Sequence, residues 1–365
     1  MKLTPLAASL PSTVPFVGPE TQERLRGRPF SARLGANESL FGPSPKAIEA
    51  INCATHDIWK YGDPEAHDLR AALANHHACR PENIMVGEGI DGLLGNLVRL
   101  IIGPNDPVVT SDGAYPTFNF HVAGFGGTLH KAPFSGDHED PEALLNLAHQ
   151  THAKLIYLSN PNNPMGSHHP AKSIEAMIEA LPKDCLLVLD EAYIDLAPPG
   201  TEPTISPDDP RVIRTRTYSK GYGMAGLRIG YAIGAKPLIL AFNKVRNHFG
   251  VGRLVQNAAM AALADQAHLN WVRDQVVLAR ATFGKVALEN GLIPLPSATN
   301  FLTIDCGSNG DFARRVLAEL LAWDIFVRMP GVAPLDRCIR VSLGGAAELA
   351  AFSAALPGAL AAART

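Results

Sequence analysis

Four short segments of this 365-residue chain carry side chains suited to chemistry. In TYSKGYGMAGLRIGYAIG (217–234), Lys220 sits in a glycine-rich turn among small and apolar neighbours. Desolvation lowers the pKa of an ammonium group there and leaves a nucleophilic amine, as a Schiff-base lysine requires. VGEGIDG (86–92) is a glycine turn opening a helical period. Free backbone N–H groups and the positive helix end make such a turn an anion site, or it is an ordinary strand-to-helix connection. SNPNNPMG (159–166) is rich in asparagine and proline and reads as a rigid, irregular loop. DEAYIDL (190–196) sets Asp190 and Glu191 where a buried strand ends. Unpaired carboxylates are costly in such a place, so they are either solvated or matched by a cation.

One tempting motif fails on context. Gly-Tyr-Gly-Met-Ala-Gly (221–226) matches the dinucleotide fingerprint letter by letter. That fingerprint needs a helix directly after it and an acidic residue about 20 positions on. Residues 227–234 read instead as a strand, and no Gly-Lys-Ser/Thr makes a P-loop. A nicotinamide-dependent dehydrogenase is therefore rejected.

The elements that position these segments follow from the apolar patterning. Runs at 83–86, 107–110, 154–158, 185–189 and 212–217 read as buried strands. Ile90, Leu93, Leu94, Leu97, Val98 and Ile101 have helical spacing, and Gly103-Pro104 stops the period. Continuously apolar strands imply a sheet covered on both faces, and strand–helix alternation implies a mostly parallel α/β sheet. Ligands bind beyond the carboxyl ends of such strands, where all four segments fall. After about residue 250 the pattern changes to a long helical stretch (253–290). Strands at 300–305, 325–328 and 339–343 follow, with a helix near 311–322. The expected organisation is an irregular N-terminal arm (1–30), a large α/β domain (31–250) and a smaller α+β domain (251–365).

Composition bounds the rest. With 46% apolar and 18% charged residues the chain can bury a large core and is not a disordered one. A net charge of −3 argues against a nucleic-acid partner. No apolar run reaches the ~18 residues of a membrane span, since 345–363 is interrupted by Glu348 and Pro357. The first residues make a poor signal peptide. Five scattered cysteines without a CxxC pair suit a reducing cytoplasm rather than a disulfide framework or a zinc site. Adjacent histidines at 76–77 and 168–169 do not share a metal well, so no metal is expected.

Taken in order, the glycine turn, PNNPxG, DEAY and SK-x(7)-R resemble the fold-type I, pyridoxal-phosphate-dependent aminotransferases of classes I and II, nearest to the histidinol-phosphate aminotransferase branch. GANES-x-x-GPSP (35–45), SATNF (297–301) and IRVSLG (339–344) extend the likeness over nearly the whole chain. The resemblance implies that Lys220 holds the cofactor and shuttles the proton, while Asp190 pairs with the pyridine nitrogen. Asn163 and Tyr193 would bind the ring oxygen, and Phe118 would stack on the ring. Ser219, Arg228 and the N–H groups of Gly89, Ile90 and Asp91 would take the phosphate. Arg340 would clamp the substrate carboxylate and Arg328 would touch a distal phosphate. Phe16 and Asn163 would complete the substrate side. Tyr61 would reach the cofactor phosphate of a partner subunit, which implies a cytoplasmic homodimer with shared sites.

Departures from the family pattern fall on the substrate side. Phe16 and Phe118 stand where tyrosine is usual, and Gly250 and Gly252 where asparagine is frequent. Ile90 replaces a common serine, at a contact that uses backbone N–H. The implied reaction is ping-pong transfer of an amino group between an L-amino acid, or histidinol phosphate, and a 2-oxo acid. Alternatives are an aromatic or broad-specificity aminotransferase and, behind it, a decarboxylase of a phosphorylated amino acid. A non-catalytic regulatory domain is disfavoured because no catalytic position is missing.

Overall fold

The computed structural model describes residues 1–12 and 16–365. In chain order the described strands are β1 (Ala32–Arg33), β2 (Ile84–Gly87), β3 (Pro107–Ser111), β4 (Thr128–Ala132), β5 (Leu155–Ser159) and β6 (Leu186–Asp190). They continue as β7 (Val212–Thr217), β8 (Gly230–Gly234), β9 (Ile293–Pro294), β10 (Phe301–Asp305), β11 (Ile325–Phe326) and β12 (Cys338–Ser342). Seven of them form one sheet in the order β2-β8-β7-β6-β5-β3-β4. β8 runs antiparallel to β2 and β7, and every other pair is parallel. The carboxyl ends of β2, β3, β5, β6 and β7 therefore share one edge with the start of β8.

Burial explains why these strands read as unbroken apolar runs. Every residue of β5 and β6 is buried. One face packs on Leu93, Leu94, Leu97 and Val98 of helix Gly89–Ile101. The other packs on Leu144, Ile174, Met177 and Ile178 of helices Pro141–Thr151 and Ala171–Glu179. Each such side chain contributes about 1.5–3 kcal/mol on leaving water. After Leu227 comes β8 rather than a helix, which is why 221–226 is no dinucleotide site.

A second core is built on the antiparallel sheet β12-β10-β9. Helices Gln266–Glu289, Gly310–Ala322 and Ala346–Ala363 cover it. The last continues through Pro357, and among the described residues it alone is long and apolar enough to cross a membrane. Here its Phe352, Leu356, Ala359 and Leu360 are buried in the second core.

The bodies are not divided where the patterning places the boundaries. β1 pairs in parallel with β11, so Ala32 and Leu34 belong to the smaller core. The stretch 253–290 is two helices, Arg253–Ala264 and Gln266–Glu289, broken at Asp265. That carboxylate accepts hydrogen bonds from Ser44 Oγ (2.5 Å) and Lys46 Nζ (3.2 Å). Ala258, Ala259 and Ala262 of the first helix pack in the larger body, so the crossing lies near 265 rather than 250. The strand expected at 325–328 keeps only two ladder residues, and Arg328 forms an isolated bridge with Arg340. The arm is partly helical (Pro5–Ser9 and Pro19–Arg26) rather than irregular throughout. Arg26 pairs with Asp324, and Arg33 with Glu20 (2.8 Å) and Glu23, which ties the arm to the smaller body.

Candidate active site

The shared strand edge gathers the four segments. Beyond β7 the chain turns tightly, with Met224 N donating to Tyr218 O (2.9 Å) and Gly223 N to Lys220 O (3.0 Å). Gly223 must be glycine: its φ is +69°, and a Cβ would lie 2.4 Å from Gly42 O. Lys220 leaves this turn half-buried, and its Nζ donates to Asn37 O (2.8 Å) beneath the Tyr193 ring. Burial first, then the charge of Arg340, brings its pKa down from the ordinary lysine value to about 8. About a tenth is thus free amine at pH 7, far more than for an ordinary lysine.

At the end of β6, Asp190 is 4% exposed. Its Oδ2 accepts from Tyr157 OH (2.7 Å) and its Oδ1 from Ala192 N (2.9 Å). Burial pushes it up to about 6 against the pull of those donors. Glu191 settles the other half of the carboxylate question. It accepts from Arg214 Nη2 (2.9 Å) and Arg216 Nε (2.8 Å) in a buried cluster. Tyr193 OH accepts from Asn37 Nδ2 (3.2 Å), and its ring packs edge-on against Phe301.

Two sides of the edge could take anions. On one, helix Gly89–Ile101 starts with no side-chain cap, and Arg228 Nη1 reaches Ser219 Oγ (3.4 Å). Gly89 has φ +75°, and a Cβ there would lie 2.4 Å from Arg228 Nη2. Gly89, Ile90, Asp91, Ser219 and Arg228 therefore line one cradle, in which Arg228 Nη1 also donates to Ala225 O (3.1 Å). On the other, the Arg340 side chain donates to Asn163 Oδ1 and to Gly35 O (3.1 Å). Its backbone bridges that of Arg328 (N to O, 2.6 and 3.2 Å). The buried Nε of each arginine has no partner, and among the described residues neither pairs with a carboxylate. Phe16 covers Arg328, its ring centroid 3.6 Å from the guanidinium carbon. Burial and then Arg340 hold Arg328 down to about 10.

Two expected residues lie outside this cluster. Phe118 is fully buried and stacks on Tyr157 (centroids 4.5 Å apart), so it presents no face to a ligand ring. It sits on the inner side of helix Pro116–Gly124, whereas Tyr115, just before that helix, turns its hydroxyl to Asp91 (3.1 Å). Tyr61 is exposed, with its ring against Phe249. Asn37, Tyr115 and Tyr157 are the site members that residue-by-residue reading passed over. Asn37 had a signal: it lies in GANES with φ +56°, a conformation asparagine tolerates. Tyr157 had none, being one aromatic in a buried strand.

A phosphorylated pyridine aldehyde fits these groups. The lysine is free enough to attack an aldehyde, and the buried carboxylate wants a proton-bearing partner. The uncapped helix start with an arginine suits a dianion. The family model "Aminotransferase class I and II" matches residues 32–356. The chain belongs to that family, and its α/β fold is that of the fold-type I enzymes. It is a pyridoxal-phosphate-dependent aminotransferase, which exchanges amino groups between amino acids and 2-oxo acids.

Particular relatives sharpen the likeness. Histidinol-phosphate aminotransferase 1 of Nitrosococcus oceani is 35% identical over 338 residues, covering 91% of this chain and 90% of that protein. The crystal structure of histidinol-phosphate aminotransferase from Sinorhizobium meliloti in complex with pyridoxal-5'-phosphate is 52% identical, with a TM-score of 0.96 over 99% of this chain and 98% of that one. An aromatic amino acid aminotransferase of Nocardia farcinica is 34% identical over 292 residues, 78% of this chain and 81% of that protein.

Proposed function

We propose that this enzyme takes its amino group from histidinol phosphate and passes it to a 2-oxo acid in a ping-pong reaction. The observation that carries this reading is the pair Arg328 and Arg340, two arginines bridged through their backbones and without a carboxylate partner among the described residues. Such a pair suits a substrate with a strongly anionic end, either a phosphate monoester or a carboxylate. The names of the relatives from Nitrosococcus oceani and Sinorhizobium meliloti support the same substrate.

When bound, pyridoxal phosphate supplies an aldehyde for the lysine and a ring that accepts the electrons left when the substrate Cα loses its proton. Lys220 would hold it through Nζ and, as the nearby amine, would accept and return the substrate proton. Asp190 keeps the pyridine nitrogen protonated. Asn163 and Tyr193 donate to the ring oxygen, and Tyr115, in place of Phe118, offers the aromatic face. Ser219, Arg228 and the N–H groups of Gly89, Ile90 and Asp91 hold the phosphate. Arg340 takes the carboxylate of the amino acid, and Arg328 the distal phosphate. Tyr61 reaches the phosphate held by a partner subunit in a cytoplasmic homodimer. The exposed Ile58, Trp59, Tyr61 and Phe249 supply an apolar surface suited to that interface. The arm (1–30), the larger body and the smaller body together enclose the substrate.

A second reading has one observation in its favour. Phe16 caps Arg328 with a ring where a hydroxyl would suit an imidazole, and an aromatic amino acid would pack there. Visible absorbance of the purified holoenzyme during single-turnover mixing separates the two. Conversion of the cofactor to its aminated form by histidinol phosphate is the expected result. Conversion by phenylalanine but not by histidinol phosphate would replace the first reading with the second.

A further inference from the structure

The buried carboxylate of Glu139 takes no part in the chemistry described above, yet it sits at the root of the loop that carries Asn163. It is 1% exposed. Its Oε1 accepts from Asn162 Nδ2 (2.7 Å), Ser159 Oγ (2.8 Å) and Ser159 N (3.1 Å), and its Oε2 accepts from Ser111 Oγ (2.6 Å). Its own carbonyl meets His169 Nε2 (2.7 Å) at the far end of the same loop. Among the described residues no cation pairs with it.

The strands explain the arrangement. β3 and β5 are paired only at Val108–Leu155 and Val109–Ile156, although β3 runs on to Ser111 and β5 to Ser159. Beyond Val109 they part, and the Glu139 carboxylate bridges their ends. It takes the Ser159 N–H and the serine hydroxyls of both strands. Only a carboxylate has acceptor capacity on both oxygens for all four donors, whereas an amide has one acceptor oxygen. Asn162, held by that carboxylate, uses its own Oδ1 to accept from Met165 N (2.9 Å). Its backbone N donates to Ser167 O (2.8 Å) and its O accepts from Gly166 N (3.1 Å). The next residue, Asn163, faces Arg340.

We infer that Glu139 is a positioning residue for the transamination reaction. Its carboxyl group clamps the parted ends of β3 and β5 and the 159–169 loop, and so sets Asn163 against the cofactor ring oxygen and Arg340. The inference rests on the role given to Asn163 above. Burial opposes the charged form of Glu139 and raises its pKa, while the four donors pull it back.

The test uses the loaded enzyme. The pH midpoint of the visible absorbance of the bound cofactor reports hydrogen bonding at its ring oxygen. Glu139→Ala should shift that midpoint by about 1 unit in the direction of Asn163→Ala, and the double variant should shift little further. It should lower kcat ~10- to 100-fold through misplacement alone, with the melting temperature measured alongside. Glu139→Gln, which keeps one oxygen toward Ser159 and Asn162, should retain most of the wild-type midpoint. If Glu139→Ala does not fold, Asn162→Ala removes the same clamp more gently and carries the same expectation. A midpoint that stays put in Glu139→Ala, or in Asn162→Ala, while Asn163→Ala moves it overturns the inference and leaves the site reading intact. If Asn163→Ala does not move it either, the role of Asn163 falls and the inference with it.

Discussion

The cofactor side and the substrate side of this site are built differently. Lys220, Asp190, Ser219 and the Gly89 helix start all stand at strand ends of one buried sheet. There Lys220, Asp190 and Ser219 also have a partner inside the protein: Asn37 O, Tyr157 OH, or Thr217 Oγ1. The substrate side is assembled from three separate segments, two near the C-terminal end and one in the arm. Arg340 lies on β12, Arg328 on the bridge after β11, and Phe16 in the arm. Both arginines keep a buried Nε unpartnered. A rigid frame presets reactive groups, while unspent donors wait for a ligand from outside. The chemistry is thus fixed by the sheet and the choice of substrate by the pieces leaning on it.

Substitutions that hit one side and spare the other sharpen this contrast. The largest effect belongs to Lys220→Ala, which should lower kcat more than about 10⁴-fold by removing both covalent attachment and proton transfer. Residual turnover within tenfold of wild type would break the picture. Asp190→Asn should cost ~10²–10³ in kcat and yet stabilise the cofactor-free protein. The folded pKa of Asp190, about 6, lies above its ordinary value. The native state therefore holds that proton more tightly, and stability declines as pH climbs through the window from about 4 to 6. Thermal melts of cofactor-free Asp190→Asn near pH 7.5 should then show a gain on the order of 1–3 kcal/mol, and near pH 4 almost none.

Arg340→Lys should raise KM for amino-acid substrates by ~10- to 100-fold, since an ammonium cannot reproduce the bidentate fork, with kcat much less affected. Arg340→Ala should also raise the pKa of Lys220 from about 8 toward the ordinary lysine value, because Arg340 supplies part of the lowering. Cofactor reloading rates against pH would show the midpoint moving up, and a midpoint that moves down would contradict the electrostatics. The smallest effect is expected for Arg328→Ala. It should weaken histidinol phosphate about tenfold and leave phenylalanine nearly unchanged, as steady-state kinetics with the two substrates would reveal.

Legibility in the sequence followed the same division. The central strands β5 and β6 announce themselves because they are apolar over nearly their whole length, and Lys220, Asp190 and Arg228 sit at fixed offsets from strand ends. Phe118 misled because the residue facing the ligand edge is set by which side of a helix turns inward. In Tyr-Pro-Thr-Phe the tyrosine precedes the first turn, while the phenylalanine falls on the core face. Asn37 and Tyr157 were invisible as partners because each meets its target across more than thirty residues of chain. The domain limits failed where single strands and helices cross between cores, as β1 and Arg253–Ala264 do. Local composition there is the same on either side.

The pairing of β1 with β11 has a consequence for biosynthesis. The seven-stranded sheet is complete once residue 234 has been made, and every strand in it lies between residues 84 and 234. The second core joins Ala32 and Leu34 to Phe352 and Leu360, made hundreds of residues later. At translation speeds of about 5–20 residues per second, that wait lasts roughly tens of seconds. The nascent enzyme therefore passes through a stage with every residue of the phosphate cradle made and an early strand lacking its mate. A molecular chaperone has its longest opportunity there.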